Sequence, residues 1–263
     1  GIAVQKSQQG GGSPMLRGFE ASRVLLVIDG VRMNNIIYRA GHLQNIITVD
    51  NAMLDRMEIA YGPASTVYGS DALGGAIHFY TRNPMLSIGE KPFIKATAFA
   101  RYGSVNNEMT QHVDVNLGFK KIAALLSFTH SNFGDLQSGR NQNPFYTGFY
   151  GLRTQYVERI NDKDSLIKNP DRFVQKFSGF SQMDMLGKIL YQQNKYITHI
   201  LNLQYSNSGD VPRYDRLTDP KGTGLNSAEW YYGPQLRQMG IYTLRYVKPE
   251  NHWFHKVSAN VSA

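Results

Sequence analysis

With 263 residues, 41% of them apolar, the chain is long enough for one large domain or two modest ones. It has no cysteine, which excludes disulfides, thiolate metal sites and cysteine nucleophiles. Lys plus Arg outnumber Asp plus Glu by 28 to 20, a formal charge of +8, yet the positive residues are scattered singly, which argues against a nucleic-acid partner.

Taken in chain order, residues 1–84 are glycine-rich with short predicted strands. In "RVLLVIDGVRMN" the Asp29-Gly30 pair predicts a two-residue hairpin turn, because such a turn needs positive φ at both central positions. "DNAMLDRMEIAYGP" predicts a helical turn over 51–55 and then a strand over 57–61. "YGSDALGGAIHFYTRNP", residues 68–84, places Gly69, Gly74 and Gly75 just before a short apolar strand that a Thr-Arg-Asn-Pro stop ends. It is neither a phosphate loop nor a nucleophile elbow: no Gly-x-Gly-x-x-Gly opens a helix, and neither Ser65 nor Ser70 sits in Gly-x-Ser-x-Gly.

From residue 85 the texture changes to longer strands with clean alternation. Val113, Val115, Leu117 and Phe119 share one face, opposite His112, Asp114, Asn116 and Lys120. Ile197, Leu201, Leu203 and Tyr205 likewise oppose Thr198, Asn202, Gln204 and Ser206, and Tyr242 and Leu244 oppose Arg237, Thr243 and Arg245. Seven strands are predicted, over 92–103, 109–120, 121–131, 179–193, 196–207, 235–248 and 252–263. After the first hairpin, short turns alternate with long loops at 132–178 and 208–234. No apolar run approaches the ~20 residues of a membrane-spanning helix, the longest conspicuous one being Val24–Ile28. Strands of only about 9–11 residues cross a bilayer in closed barrels, where short turns lie on one side and long loops on the other. The expected fold is therefore all-β dominated, a partial transmembrane antiparallel β-barrel of about seven strands. Apolar residues should face lipid and polar ones the lumen.

Two stretches carry a family resemblance. "GGGSPMLRGFEASRVLLVIDGVRMNN", followed by "DRMEIAYGPASTVYGSDALGGAIHFYTRNP", resembles the plug domain of TonB-dependent outer-membrane receptors, through most of residues 10–84 and in the same motif order. The resemblance implies an N-terminal α+β plug domain inside the barrel lumen over 1–84 and the first barrel strands over 85–263. Gly69, Gly74 and Gly75, with Gly18 of the Arg-Gly element, would then give tight turns where side chains would collide with the barrel wall. Arg17, Arg56, Glu58 and Asp71 would pair with lumen charges. It also implies active transport rather than catalysis, in the outer membrane of a Gram-negative bacterium. Partners would be outer-membrane lipid, a TonB-type energy-coupling protein reached through a segment not in this sequence, and a surface lipoprotein or haem carrier. Receptors of this family close about 22 strands around the lumen, so roughly 15 further barrel strands are expected to complete the wall. The chain, starting at Gly1 rather than Met, reads as a trimmed or partial product. The rival reading is a structural or adhesive barrel that transports nothing.

For cargo, "NNIIYRAGHLQN" is the richest clue. Haem and haemoglobin receptors of the family carry a similar Gly-His-Leu stretch, so the resemblance makes His42 a candidate haem-iron ligand, the one metal-binding residue proposed. Tyr38 and Arg39 would stack on a porphyrin and pair with a propionate, with Gln44 beside them. No tightly bound cofactor is expected, only haem or a ferric complex as transported ligand. The same stretch also suits a plug packing element in receptors for ferric siderophores, cobalamin, oligosaccharides or other metal complexes. Of the remaining histidines, His252 and His255 point to opposite strand faces, His112 and His130 are expected near strand ends, His199 faces lipid near a turn, and His78 makes a polar contact.

Overall fold

The computed structural model describes residues 2–6, 8–19, 23–33, 44–62, 68–141, 145, 151–248, 250 and 254–263. Its N-terminal unit contains β1 (Ile2–Gln5), β2 (Ser13–Leu16), β3 (Val24–Ile28), β4 (Val31–Arg32), β5 (Leu54–Tyr61) and β6 (Gly75–Thr81). β1 pairs with β2, and the other four form a sheet in the order β4-β3-β6-β5. β3 and β6 run parallel, which obliges the chain to cross over between them. Every residue of β3 is buried, as its continuous apolar run requires of a strand covered on both faces. Val24, Leu26 and Ile28 look one way, with Ile77 and Phe79; Leu25 and Val27 look the other way, onto Ala72, Ala76 and Tyr68.

The wall opens with β7 (Phe93–Gly103), β8 (Glu108–Gly118) and β9 (Ile122–Phe133). The first long loop carries β10 (Leu136–Gln137), β11 (Gln155–Ile160), β12 (Lys163–Lys168) and β13 (Val174–Gln175), before β14 (Phe180–Gln192) and β15 (Ile197–Ser208). The second carries β16 (Val211–Pro212), β17 (Pro220–Lys221), β18 (Gly224–Leu225) and β19 (Tyr231–Tyr232), before β20 (Leu236–Val247) and β21 (Lys256–Ser262). Seven of these form one antiparallel sheet, β21-β20-β15-β14-β9-β8-β7, each strand beside its sequence neighbour in that set. All seven predicted strands are present, with shifted ends. Within the 132–178 segment, read from the sequence as a loop, β11 and β12 form a hairpin.

Burial in this sheet is inverted. Thr110, His112, Asp114, Asn116, Thr129, Asp184, Asn202 and Gln204 are buried, whereas Val113, Leu126, Ile189, Leu201 and Leu203 are exposed. The N-terminal unit lies on the polar face, and the apolar face is bare. A sheet folded for water would do the reverse, so the bare face is the one built for hydrocarbon. β7 and β21 each have a single neighbour and are exposed along nearly their whole length.

Candidate functional site

Between the N-terminal unit and the wall runs a seam of specific hydrogen bonds, centred on Asp29. This residue sits at φ 47° in the predicted turn, with Gly30 at φ 90° after it. That conformation aims its carboxylate away from its own hairpin and toward the wall. Oδ1 accepts the Thr81 N–H at 2.9 Å, and Oδ2 accepts the Thr81 hydroxyl at 2.5 Å, Asn202 Nδ2 at 2.8 Å and Gln204 Nε2 at 2.9 Å. Lys188 Nζ lies 3.5 Å from the same oxygen and also donates to the Thr81 carbonyl and Asn83 Oδ1, each at 3.2 Å. A buried ammonium beside a largely buried carboxylate is tolerable only with this many partners.

A second polar chain crosses the seam further round. Arg82 meets Asp114 at 3.1 Å, Asp114 Oδ2 meets His112 Nε2 at 3.1 Å, and His112 Nδ1 meets the Thr129 hydroxyl at 2.7 Å. Thr129 is 2.5 Å from Asp50, whose other oxygen caps the Ala52 N–H at 2.8 Å. The Thr129 hydroxyl, with its single proton, thus joins His112 on the wall to Asp50 on the N-terminal unit. Asn116 clamps the segment leading to the wall, accepting from the Met85 N–H at 2.7 Å and donating to its carbonyl at 3.0 Å. Arg237 donates to the Thr48 carbonyl at 2.8 Å, and Gln182 to that of Ile47 at 2.6 Å. Apolar contacts fill the gaps: Met239 and Ile241 join the β3 core, and Leu125 and Leu186 pack with Met53.

Above the seam, at the long-loop end, lies a cavity of about 1020 Å³. Its floor is the N-terminal unit, at residues 8–12 and the 3-10 turns Gln44–Thr48 and Asn51–Met53; its sides include Phe99, Phe133, Phe180, Asp184 and Tyr214. The loops over it are stapled by the buried Arg153, whose guanidinium lies 5.3 Å from the Tyr214 ring centre and donates to the carbonyls of Lys176 and Leu217. Burial there pulls the Arg153 guanidinium below its ordinary value and pushes the Tyr214 phenol up.

The sequence-predicted residues fall into three groups. Tyr38, Arg39 and His42 lie outside the described residues; Gln44 opens the 3-10 turn whose Ile46 and Ile47 line the cavity. The charges expected to meet the lumen wall pair within the N-terminal unit instead. Arg56 bonds Glu58 at 2.7 Å and Asp55 at 3.0 Å, Asp71 bonds Arg32 at 2.7 Å, and Arg17 lies 5.0 Å from the Tyr61 ring centre. Arg56, Glu58 and Asp55 share β5 and so reach one another first, whereas Asp71 meets Arg32 of β4 across 39 positions and Arg17 meets Tyr61 at the end of β5. The glycines also act differently from expectation. A Cβ at Gly74 would come within 2.2 Å of Phe19, and one at Gly75, φ 138°, within 2.4 Å of the Ala60 carbonyl. The tight approach is to the unit's own strands, not to the wall. Gly18 and Gly69 hold φ of 85° and 88°.

His112, expected near a strand end, sits mid-strand in β8 and buried. His199 faces outward and bonds the Tyr242 hydroxyl at 2.7 Å, and His78 Nδ1 lies 3.4 Å from the Tyr80 hydroxyl. Asp50, Arg82 and Lys188 were missed. Their signal is weak without the partner surface: Asp50 and Arg82 lie outside the strands, and Lys188 shares β14 with a second charged residue, Asp184. Among the described residues no three His, Asp or Glu side chains converge as a metal site.

A polar-faced antiparallel wall sealed by a small mixed sheet is the architecture of a plugged outer-membrane barrel. Residues 1–76 match the family description TonB-dependent Receptor Plug Domain. Over 217 residues the chain is 30% identical to the vitamin B12 transporter BtuB of Vibrio vulnificus (strain CMCP6), covering 78% of this chain and 32% of that protein. Among solved structures it resembles the FrpB iron transporter from Neisseria meningitidis (TM-score 0.71, 16% identity, 99% of this chain and 36% of that one). It also resembles the copper transporter OprC (TM-score 0.68, 14% identity, 100% of this chain and 33% of that one). Together these findings support a TonB-dependent receptor. The chain spans about a third of the length of the relatives it matches.

Proposed function

We propose that this chain is the plug and first wall strands of a TonB-dependent transporter that imports a scarce, bulky metal complex across a Gram-negative outer membrane. The observation that carries the reading is the sealed seam: the polar face of the wall is covered by a domain bonded to it through Asp29, Asp50 and Arg82. Passive diffusion does not suit a lumen closed in this way. An opening step driven from outside the chain does, and a TonB-type protein acting through a segment beyond this sequence would supply it. Further barrel strands would pair with β7 and β21, whose open edges would each cost several kcal/mol per unmet group in lipid.

Cargo would settle in the cavity between the 3-10 turns and the upper wall. Iron complexes are the first reading, with haem bound through His42, Tyr38 and Arg39, which immediately precede the turn lining the cavity floor. Cobalamin is the second, favoured by the 30% identity to a vitamin B12 transporter. A surface lipoprotein or haem carrier would deliver cargo to the loops.

The test is uptake of labelled haem, ferric siderophore and cobalamin by cells whose only receptor is the full-length protein. Uptake of one of them that vanishes without TonB is expected. Uptake independent of TonB, or none alongside retained surface adhesion, overturns the transporter reading. Within the haem reading, His42→Ala should weaken haem binding several-fold and alter the iron absorption spectrum; if both stay unchanged, that assignment fails and the transporter reading stands.

A further inference from the structure

The outward face of the wall ends, on its short-turn side, in a feature the transport reading does not use. Tyr246 lies on the bare face, paired with Ile197 and two residues on from Leu244. Its ring is 6.3 Å from that of Tyr196 and 5.9 Å from that of Phe254. Two ammonium groups converge on Tyr196: Lys195 Nζ is 4.7 Å and Lys248 Nζ 5.7 Å from the ring centre. The turn that presents them is held, because Asn194 Oδ1 accepts both the Tyr196 N–H at 2.8 Å and the Ile197 N–H at 3.0 Å. Among the described residues neither lysine has a carboxylate partner.

Like charges drawn to one ring repel each other unless an anion joins them. The neighbouring short turn adds Lys120 and Lys121, both exposed, and is bonded to this part of the wall by Gln192 N–H to the Lys121 carbonyl at 2.7 Å. Glu250 is the carboxylate nearest in sequence, and it too is exposed and unpaired with these lysines. The long-loop end is unlike this: there Arg140 pairs with Asp171, Arg159 with Asp164 and Arg216 with Asp219. Aromatic rings at the edge of an apolar band mark the membrane–water boundary, the depth at which lipid phosphates lie.

We infer that Lys195, Lys248 and Tyr196 form a headgroup seat for an anionic glycerophospholipid, the phosphodiester bridging the two ammonium groups and the acyl chains lying along Tyr246, Leu244 and Tyr242. The seat depends on the wall standing in a membrane and not on the cargo, so a failed uptake assay leaves it untouched.

The experiment is native mass spectrometry of the full-length protein in mild detergent, titrated with phosphatidylglycerol and with phosphatidylcholine of the same acyl chains. Phosphatidylglycerol should bind roughly tenfold more tightly, as two lysines at a charged surface allow. K195Q/K248Q should erase most of that preference, each single variant part of it, and K195R/K248R should keep it. K163Q, at the long-loop end, should change nothing and serves as the folded control. Equal binding of the two lipids, a preference unchanged in K195Q/K248Q, or displacement of phosphatidylglycerol by diphosphoryl lipid A at equal concentration would each overturn the assignment.

Discussion

The plug and the wall obey opposite burial rules within one chain. In β3 all five residues are apolar and buried, as in any protein interior. In β15, Leu203 is 53% exposed while its neighbours Asn202 and Gln204 are each 4% exposed. The same period-two alternation therefore says which residues share a face and not which face is inside. The medium decides that, hydrocarbon for the wall and water for the plug margins. At the seam the rules meet, and polar groups of the wall such as Asn202, Gln204 and Asp114 find their partners on the plug.

This contrast can be attacked first at the ion pair that joins the two regions. Lys188→Met removes the buried cation beside Asp29 and leaves that carboxylate with its amide and hydroxyl donors alone, at a cost of up to about 3–5 kcal/mol. Urea unfolding of the full-length protein in lipid should show the plug transition shifting well before the wall transition. Adding Asp29→Asn should restore part of the loss; a double variant no better than the single would mean the pair is not coupled. Next, Leu26→Ala removes side chain from the plug core and should cost about 2–5 kcal/mol, since the packed β3 leaves little room to collapse. Slightly smaller is Leu203→Arg, expected to cost about 2–4 kcal/mol of wall stability near mid-bilayer. On a water-facing strand that substitution would stay within about 0.5 kcal/mol. A near-zero result would show the bare face to be hydrated and break the comparison.

Most of the wall was legible in the sequence because period-two alternation and loop lengths are local signals. The Asp29-Gly30 turn was legible for the same reason. What Asp29 does was not: its partners Thr81, Asn202 and Gln204 are 52, 173 and 175 positions away, and no local pattern links a turn residue to amides so distant. Met239 and Ile241 show the same limit from the other side. They break the polar pattern of an inward face because a patch of plug core covers them, and that patch is invisible from β20 alone. The glycines before β6 misled in an instructive way, since closeness was correctly read but assigned to the wall when Phe19 and Ala60 were the neighbours. The cargo residues Tyr38, Arg39 and His42 stay at the level of resemblance, as they lie outside the described residues.

The smallest expected effect lies in a third region, the β11–β12 hairpin, which touches neither medium boundary and should behave as an ordinary solvated surface. Arg159 Nε donates to Asp164 Oδ1 at 2.8 Å, and this hydrogen bond holds the Asp164 carboxyl below the usual carboxylate range. A carboxyl whose folded value is depressed adds stability that is fully present above its unfolded value, about 3.9, and is lost as pH falls through the folded value. Hydrogen exchange of amides 155–168 in the full-length protein should therefore be flat from neutral pH to about 4.5, once corrected for intrinsic rates, and quicken below that range. Both groups are open to solvent, so the quickening should be slight and should fade in high salt. Arg159→Ala should abolish it. An effect as large as that of Lys188→Met would mean the hairpin is packed into the site rather than held above it, and the division between solvated loops and sealed seam would have to be redrawn.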